Sequence, residues 1–525
     1  MLLIVLAVFS VALAFQGPVP GYLRHSGLTY AAALAATVLP ALIGWAVSRR
    51  ALRLIERYPE DPNRGQYAFN SAIGYLQMFL GAAHIALLLL TRWPIECGRL
   101  PIVGDWIVAP SLLAVTPFLI AVVLLWLATY PAERAVRQIA LEVFLFRHRP
   151  VQPVWTLGQY LTFNFRHQVL CVLVPMVFML AGRDLLYQNE TALQRWSGLR
   201  DMPDLMLGAL TVVVAIFAPL LIRHTWITAP LSPGPLRDRL LLLGEKLRVR
   251  CREILVWKSG GLIVNAAVMG LFAPLRYVLL TDGMLANLDD RKIEAVFGHE
   301  AGHVRRWHIP YLLLFSLISG CLLQIFAIRM HGASTQTYQI GAVALGAFML
   351  VKWGVIFLWM SQRFERQADI FGVRALQLTG VPCNQPCFVH HFAAAGEAAM
   401  PVAPKGDEAT RQSAEDAGTP RASGRRQPIC TTCAHIFSET LNEVAVLNGI
   451  APESGSPRHG SIAGRSRFLQ ALARDPSALE RFERTMSWVQ AAIILAAIGC
   501  AAWAAHEMNL WPVVRGLSER MLARG

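Results

Sequence analysis

His299, Glu300 and His303 form an H-E-x-x-H pattern within residues 296–304. On a helix, positions i and i+4 share a face about one turn apart. Two imidazole nitrogens at that spacing can bind one tetrahedral Zn²⁺, and the intervening glutamate can reach a water in the open coordination position. A water acidified by the metal is a nucleophile at neutral pH. Glu300 is then the candidate general base, taking the proton from the water and passing it to a leaving amine. A solvated polar turn on a surface helix is the bland alternative.

The flanking residues argue for a half-buried helix. Ile293, Ala295, Val296, Phe297 and Val304 are apolar, and Asp289 and Asp290 supply N-cap candidates just before them. A third ligand of the right type lies downstream in 361–369 (SQRFERQAD). As a helix, this stretch puts Glu365 and Asp369 on one face. Glu365 is the candidate third zinc ligand. Asp369 is the candidate acceptor that fixes the tautomer of a ligand histidine. A juxtamembrane helix laced with Arg/Glu pairs is the alternative.

Two apolar runs, 309–328 and 339–360, separate the half-sites, so an antiparallel helix pair must return the chain to bring them together. Hydrophobic residues make up 55% of the 525 positions and charged residues 16%. That balance points to a membrane protein. Apolar runs also fall at 2–16, 28–48, 70–91, 107–130, 168–182, 204–222 and 488–507, most of them near the roughly 20 residues that cross a bilayer. The first is expected to be an uncleaved span, with a signal peptide as the alternative. The 168–182 run carries Pro175 and is the weakest. Lys352 and His84 are rare polar residues within the runs, too few for an ion or solute pathway. His84 is expected to be packed or hydrogen-bonded, and Lys352 to snorkel or pair.

The expected organisation is an N-terminal region of about six spans (1–222) followed by a segment carrying HEAGH (223–308). A helix pair (309–360), a segment with the third ligand (361–487) and a last span and tail (488–525) complete it. Loops 49–69 and 131–167 are rich in Arg, which places them and the HEAGH segment in the cytoplasm. The formal charge of +14 is assigned to solvated faces near anionic lipid, not to nucleic acid. Residues 236–255 read as a basic amphipathic helix. Strands are expected at 254–257, 262–269 and 277–281, with Ser259-Gly260-Gly261 as the turn between the first two. His308 reads as a packing or interfacial residue.

The nine cysteines show no dense disulfide framework. Cys383 and Cys387, followed by His390 and His391, precede a low-complexity stretch, and Cys430 and Cys433 follow it. The insertion is placed at about 378–433, its 392–429 core reading as disordered. A structural zinc knuckle at the four cysteines is conceivable, but C-x₃-C is an irregular spacing and free thiols are the expected state. Further on, 457–465 (PRHGSIAGR) reads as a turn opening a helix with a capping serine.

The sequence resembles the integral-membrane zinc metallopeptidases of the CAAX prenyl protease and HtpX type, within the gluzincins. The resemblance rests on NAAVMG at 265–270, YVLLTDGML at 277–285, the AVFGHEAGHV block, RFERQAD at 363–369, and His459 with Arg465 six residues on. It implies that His299, His303 and Glu365 ligate one Zn²⁺, Glu300 acts as base and Asp369 orients a ligand histidine. It further implies that His459 stabilises the oxyanion with Arg465 supporting the site, and that Asn265 and Ala266 belong to an edge strand that pairs with substrate.

The expected fold is mainly α, a polytopic transmembrane helical protein with a small α+β gluzincin-type catalytic region. The expected function is hydrolysis of membrane-associated or misfolded proteins, with the bilayer and protein or peptide substrates as partners. The expected location is a bacterial cytoplasmic membrane with the site on the cytoplasmic side. The alternatives are CAAX-type processing of prenylated proteins and a non-catalytic scaffold or sensor that retains a zinc site.

Overall fold

The computed structural model describes residues 25–60, 63–101, 106–146, 154–198, 202–261, 263–330, 334–384, 387–389, 428–448, 450, 452–453, 455–456 and 458–507. The apolar run at 2–16, His390 and His391 and the low-complexity stretch up to 427 lie outside them. The chain divides into two compact units, Met1–Thr228 with Trp257–Gly261, and Ala229–Val256 with Leu262–Gly525. The fold is mainly α. Among the described residues, eight helices are long and apolar enough to cross a membrane.

Five of these belong to the first unit. Its helices are α1 (Ser26–Arg57), α2 (Asn63–Leu90), α3 (Trp93–Arg99), α4 (Ala109–Phe146), α5 (Leu157–Asn164), α6 (Cys171–Gln188), α7 (Glu190–Ser197) and α8 (Met202–Thr225). A π-helical turn, Phe165–Leu170, joins α5 to α6, so the weak 168–182 run is the middle of one long rod that passes through Pro175. The Thr156 side chain accepts from the Gln159 N–H and starts this rod in a capping box. His84 is buried against the Phe118 ring, with centroids 5.1 Å apart.

The second unit begins with β1 (Thr228–Pro230) and α9 (Pro235–Lys246), followed by β2 (Glu253–Trp257), β3 (Ala266–Met269) and β4 (Tyr277–Thr281). The basic helix is thus shorter than the 236–255 pattern predicts. Val249 N–H donates to the Gly244 carbonyl, and Arg248 turns at φ 56°, which ends α9 before the strand. The sheet order is β1-β2-β4-β3. Ser259–Gly261 therefore closes no hairpin, because β4 lies between β2 and β3. The reason is apparent in β4: Tyr-Val-Leu-Leu-Thr is buried at all five positions, as suits a central strand covered on both faces. The antiparallel partner β3 is left on the sheet edge, with Val268 opposite Val278.

Next come α10 (Asp282–Asn287), α11 (Asp290–Arg305), α12 (His308–Arg329), α13 (Thr335–Val351) and α14 (Leu358–Leu378). A π-helical turn at Lys352–Phe357 joins α13 and α14. The span predicted to end at 360 thus continues without a break into the helix that carries Glu365. Lys352 is buried and paired: its ammonium donates to the Phe315 carbonyl at 2.8 Å and to the Ser319 hydroxyl, with Nζ 3.4 Å from the centre of the Phe315 ring. The remaining elements are α15 (Thr431–Leu447), the short pair β5 (Gly455–Ser456) and β6 (Gly460–Ser461), α16 (Ile462–Arg474) and α17 (Pro476–Glu507).

Helices α11 and α14 pack at close range, and two glycines make this possible. A Cβ on Gly298 would come 2.2 Å from Ala375 Cβ, and one on Gly302 would come 3.0 Å from Ala368 Cα. They lie one turn apart, so the HEAGH helix presents a bare stripe to the helix bearing Glu365. Gly302→Val is expected to push the helices apart, lower stability by about 1–3 kcal/mol, and reduce zinc retention. Thermal unfolding measured beside metal content would check it; unchanged zinc and melting would sink it.

Candidate active site

Asp289 caps α11, its side chain accepting from the Lys292 N–H, and this start sets the phase of the helix. His299 and His303 then face α14, with their Nε2 atoms 3.3 Å apart. Glu365 arrives from α14, Oε2 3.6 Å from His299 Nε2 and Oε1 3.8 Å from His303 Nε2. One donor atom from each of these residues lies within 4.8 Å of the others. Two imidazoles and a carboxylate at this spacing fit a three-ligand Zn²⁺ site with a fourth position for water or substrate.

The backs of both rings are held in a way that leaves Nε2 for the metal. His299 Nδ1 lies 3.0 Å from Asp369 Oδ1, somewhat off the line of an ideal hydrogen bond. Burial lowers the His299 pKa, but the hydrogen bond and charge of Asp369, with the charge of Glu365, outweigh it, and the net shift is upward. Asp369 is itself clamped by Arg465, which donates Nε to Oδ2 at 2.8 Å and Nη2 to Oδ1. This bidentate pair is buried, where breaking it costs about 3–5 kcal/mol. Both carboxylates, Asp369 ahead of Glu365, raise the Arg465 pKa against its burial. Arg465 Nη1 also lies 3.6 Å from Glu365 Oε2. The residue is delivered by α16, whose N-cap Ser461 accepts from the Gly464 N–H.

His303 has a different support, one that sequence reasoning missed. Trp307 adopts a left-handed φ of 59°, which breaks α11 from α12 and turns His308 back onto His303. Their Nδ1 atoms are 2.9 Å apart, His308 Nε2 is 3.0 Å from Gln367 Oε1, and Gln367 Nε2 donates to Glu483 Oε2 at 3.0 Å. Arg306 donates to the other oxygen of Glu483 at 2.6 Å. The chain of donors has one consistent direction. Glu483 can only accept, so the Gln367 amide turns its oxygen to His308, which must donate from Nε2. The His308 Nδ1 of a neutral ring then accepts from His303 Nδ1–H, leaving a lone pair on His303 Nε2. Burial, followed by the charge of His299, lowers the His303 pKa to about 4, which keeps that ring neutral and able to ligate. No spacing rule marks His308, Gln367 or Glu483; the only signal was a histidine five residues past His303. Replacing Gln367 with Leu cuts the chain while Arg306 still pairs Glu483. Zinc affinity is expected to fall by about 10–100-fold, read by competition with a chelator; an unaltered dissociation constant would refute the role.

Glu300 points to the sheet, where its Oε2 accepts from the Val268 N–H at 2.9 Å. Burial, reinforced by the charge of Glu365 and opposed by that of His299, raises its pKa, the direction a proton-carrying base needs. Val268 is on the edge strand β3. In this register its N–H and that of Ala266 both point away from β4. The Ala266 N–H donates to Asn265 Oδ1 at 2.9 Å. Asn265 precedes the strand and is exposed; its carbonyl accepts the Thr281 N–H, and its own N–H donates to the Thr281 hydroxyl. Both outward amides of the edge are thus covered by side-chain oxygens. Asn448, at the end of α15, pairs both polar groups of Val264 and fixes the approach to the strand.

His459 sits at the turn before β6. Its Nδ1 lies 2.9 Å from Glu365 Oε1, and its side chain is 50% exposed. It therefore orients a candidate ligand and still borders open space.

Part of the chain is similar to known proteins. The sequence model of peptidase family M48 matches residues 254–399. A protein named "Protease HtpX homolog" from Pyrobaculum calidifontis is 32% identical over 120 residues, which is 21% of this chain and 34% of that protein. One of the same name from Archaeoglobus fulgidus is 28% identical over 156 residues, 28% of this chain and 45% of that protein. The match thus spans between a third and a half of these relatives. Among solved structures, Ste24p of S. mikatae is 16% identical with a TM-score of 0.38, covering 69% of this chain and 89% of that one. Residues 254–399, the stretch similar to peptidase family M48, carry His299, Glu300, His303 and Glu365.

Proposed function

We propose that the protein is a membrane zinc endopeptidase that hydrolyses membrane-associated or misfolded proteins. The convergence of His299, His303 and Glu365 donors within 4.8 Å, with Glu300 beside them, carries the reading. Zinc held there would polarise the scissile carbonyl and acidify a water. Glu300 takes the proton from the attacking water and gives it to the leaving amine. To do so it releases the Val268 N–H, which becomes available to the substrate backbone. The substrate adds as a further strand along β3, displacing Asn265 Oδ1 from the Ala266 N–H. His459 keeps Glu365 oriented and donates to the developing oxyanion when both its ring nitrogens are protonated. Arg465 acts at one remove through Asp369 and Glu365.

The short Arg-rich loops support a cytoplasmic site, and a bacterial inner membrane is its proposed setting. The complete set of candidate ligands, their supports and the base argues against a non-catalytic relic. CAAX-type processing would need a prenylated substrate, and no feature of the site selects one. The test is cleavage of casein, and of the chain itself, by purified protein in detergent. Activity should disappear on chelation and return with added Zn²⁺. Cleavage that persists after complete metal removal would overturn the proposal.

A further inference from the structure

Three cysteines expected to be free thiols come together in the second unit, apart from His299 and His303, and a fourth, Cys433, follows in the first turn of α15. Cys383 Sγ lies 3.4 Å from Cys387 Sγ and 3.6 Å from Cys430 Sγ. The three sulfurs all fall within 4.8 Å of one another. Cys433 is fully buried in the first turn of α15, three residues past Cys430. We propose that Cys383, Cys387, Cys430 and Cys433 form a second, structural Zn²⁺ site that clamps the start of α15 to the end of α14.

The spacing of Cys383, Cys387 and Cys430 suits one ion, with Cys433 as the candidate fourth ligand. Tetrahedral Zn²⁺ with bonds of about 2.3 Å separates its sulfurs by about 3.8 Å. A disulfide would need about 2.05 Å, and an iron–sulfur cluster would spread its thiolates over several metal atoms. The two cysteine segments are also locked to each other by other groups. Thr432, between Cys430 and Cys433, donates its hydroxyl to Asn384 Oδ1 at 2.9 Å and accepts the Asn384 N–H at 3.2 Å. Asn384 in turn lies between Cys383 and Cys387. Cys430 is the N-cap of α15. Cys383 lies beyond the end of α14 at Leu378, so helical period does not set the spacing of the pair.

The site would act on the catalytic region through α15. One turn beyond Cys433, the Phe437 ring packs against His299, with centroids 6.2 Å apart, and fills the space a Cβ on Gly372 would occupy. Pinning the start of α15 therefore fixes the wall behind a candidate catalytic ligand.

The test is the zinc content of the full-length protein, purified in detergent under reducing conditions. Wild type should hold about two zinc ions per chain, and Cys430→Ser/Cys433→Ser about one. Glu365→Ala should keep one, and its X-ray absorption should show sulfur alone at about 2.3 Å. That last measurement stands even if the double cysteine variant fails to fold. A Glu365→Ala protein without zinc, a nitrogen/oxygen shell, iron at the cysteines, or a Cys383–Cys387 disulfide in the wild type would each overturn the proposal. Failure of the catalytic-site reading looks different: Glu365→Ala would then keep both ions.

Discussion

Glu300→Gln is expected to lower the rate of peptide hydrolysis by about 10²–10⁴-fold with no change in zinc content. The substitution keeps an oxygen that can accept the Val268 N–H, now at 2.9 Å from the carboxylate, so the contact between α11 and the sheet survives. It removes only the ability to take a proton. The two histidines keep their supports, Asp369 behind His299 and His308 behind His303. Initial rates on a quenched fluorescent casein, beside zinc per chain, would check the prediction. A variant with half the wild-type rate would exclude Glu300 as the base.

Glu365→Ala is expected to release the catalytic zinc and take activity to background. Two imidazoles at 3.3 Å remain, but the metal loses its only anionic ligand. His459 Nδ1 and Arg465 Nη1, now 2.9 and 3.6 Å from that carboxylate, would face an empty space, and Arg465 would keep only its clamp on Asp369. The readouts are a fall of one zinc ion per chain, loss of casein cleavage, and circular dichroism to show that the helices persist. Retention of the full metal content would mean that Glu365 is not a ligand.

Much of this site was legible because helical periodicity is local. The i, i+4 relation places His299 with His303 and Glu365 with Asp369, and the short link between α12 and α13 returns one pair to the other. The spanning helices were legible from length and hydropathy, and α14 ran on past 360 because no Gly or Pro falls between 355 and 371. What was not legible depends on contacts distant in sequence. The order β1-β2-β4-β3 follows from β4 being apolar on both faces, which outweighs the glycine turn after β2. The His308–Gln367–Glu483 chain draws on three helices and needs the left-handed Trp307 to exist. The four cysteines were judged by spacing, whereas their meeting depends on α14 and α15 packing through Gly372 and Phe437.

The Gln367–Glu483 hydrogen bond has a consequence for biosynthesis. Glu483 is near the start of the last long helix, about 120 residues after Glu365. At roughly 5–20 residues per second, a ribosome needs on the order of ten seconds to supply it once the ligand set has been translated. Throughout that interval His303 lacks the anchor that fixes its tautomer, and until Arg465 emerges Asp369 lacks its clamp. On the proposed function, a nascent chain would therefore carry an immature centre until Glu483 has been supplied, which would limit its cleavage of itself while it is still unfolded.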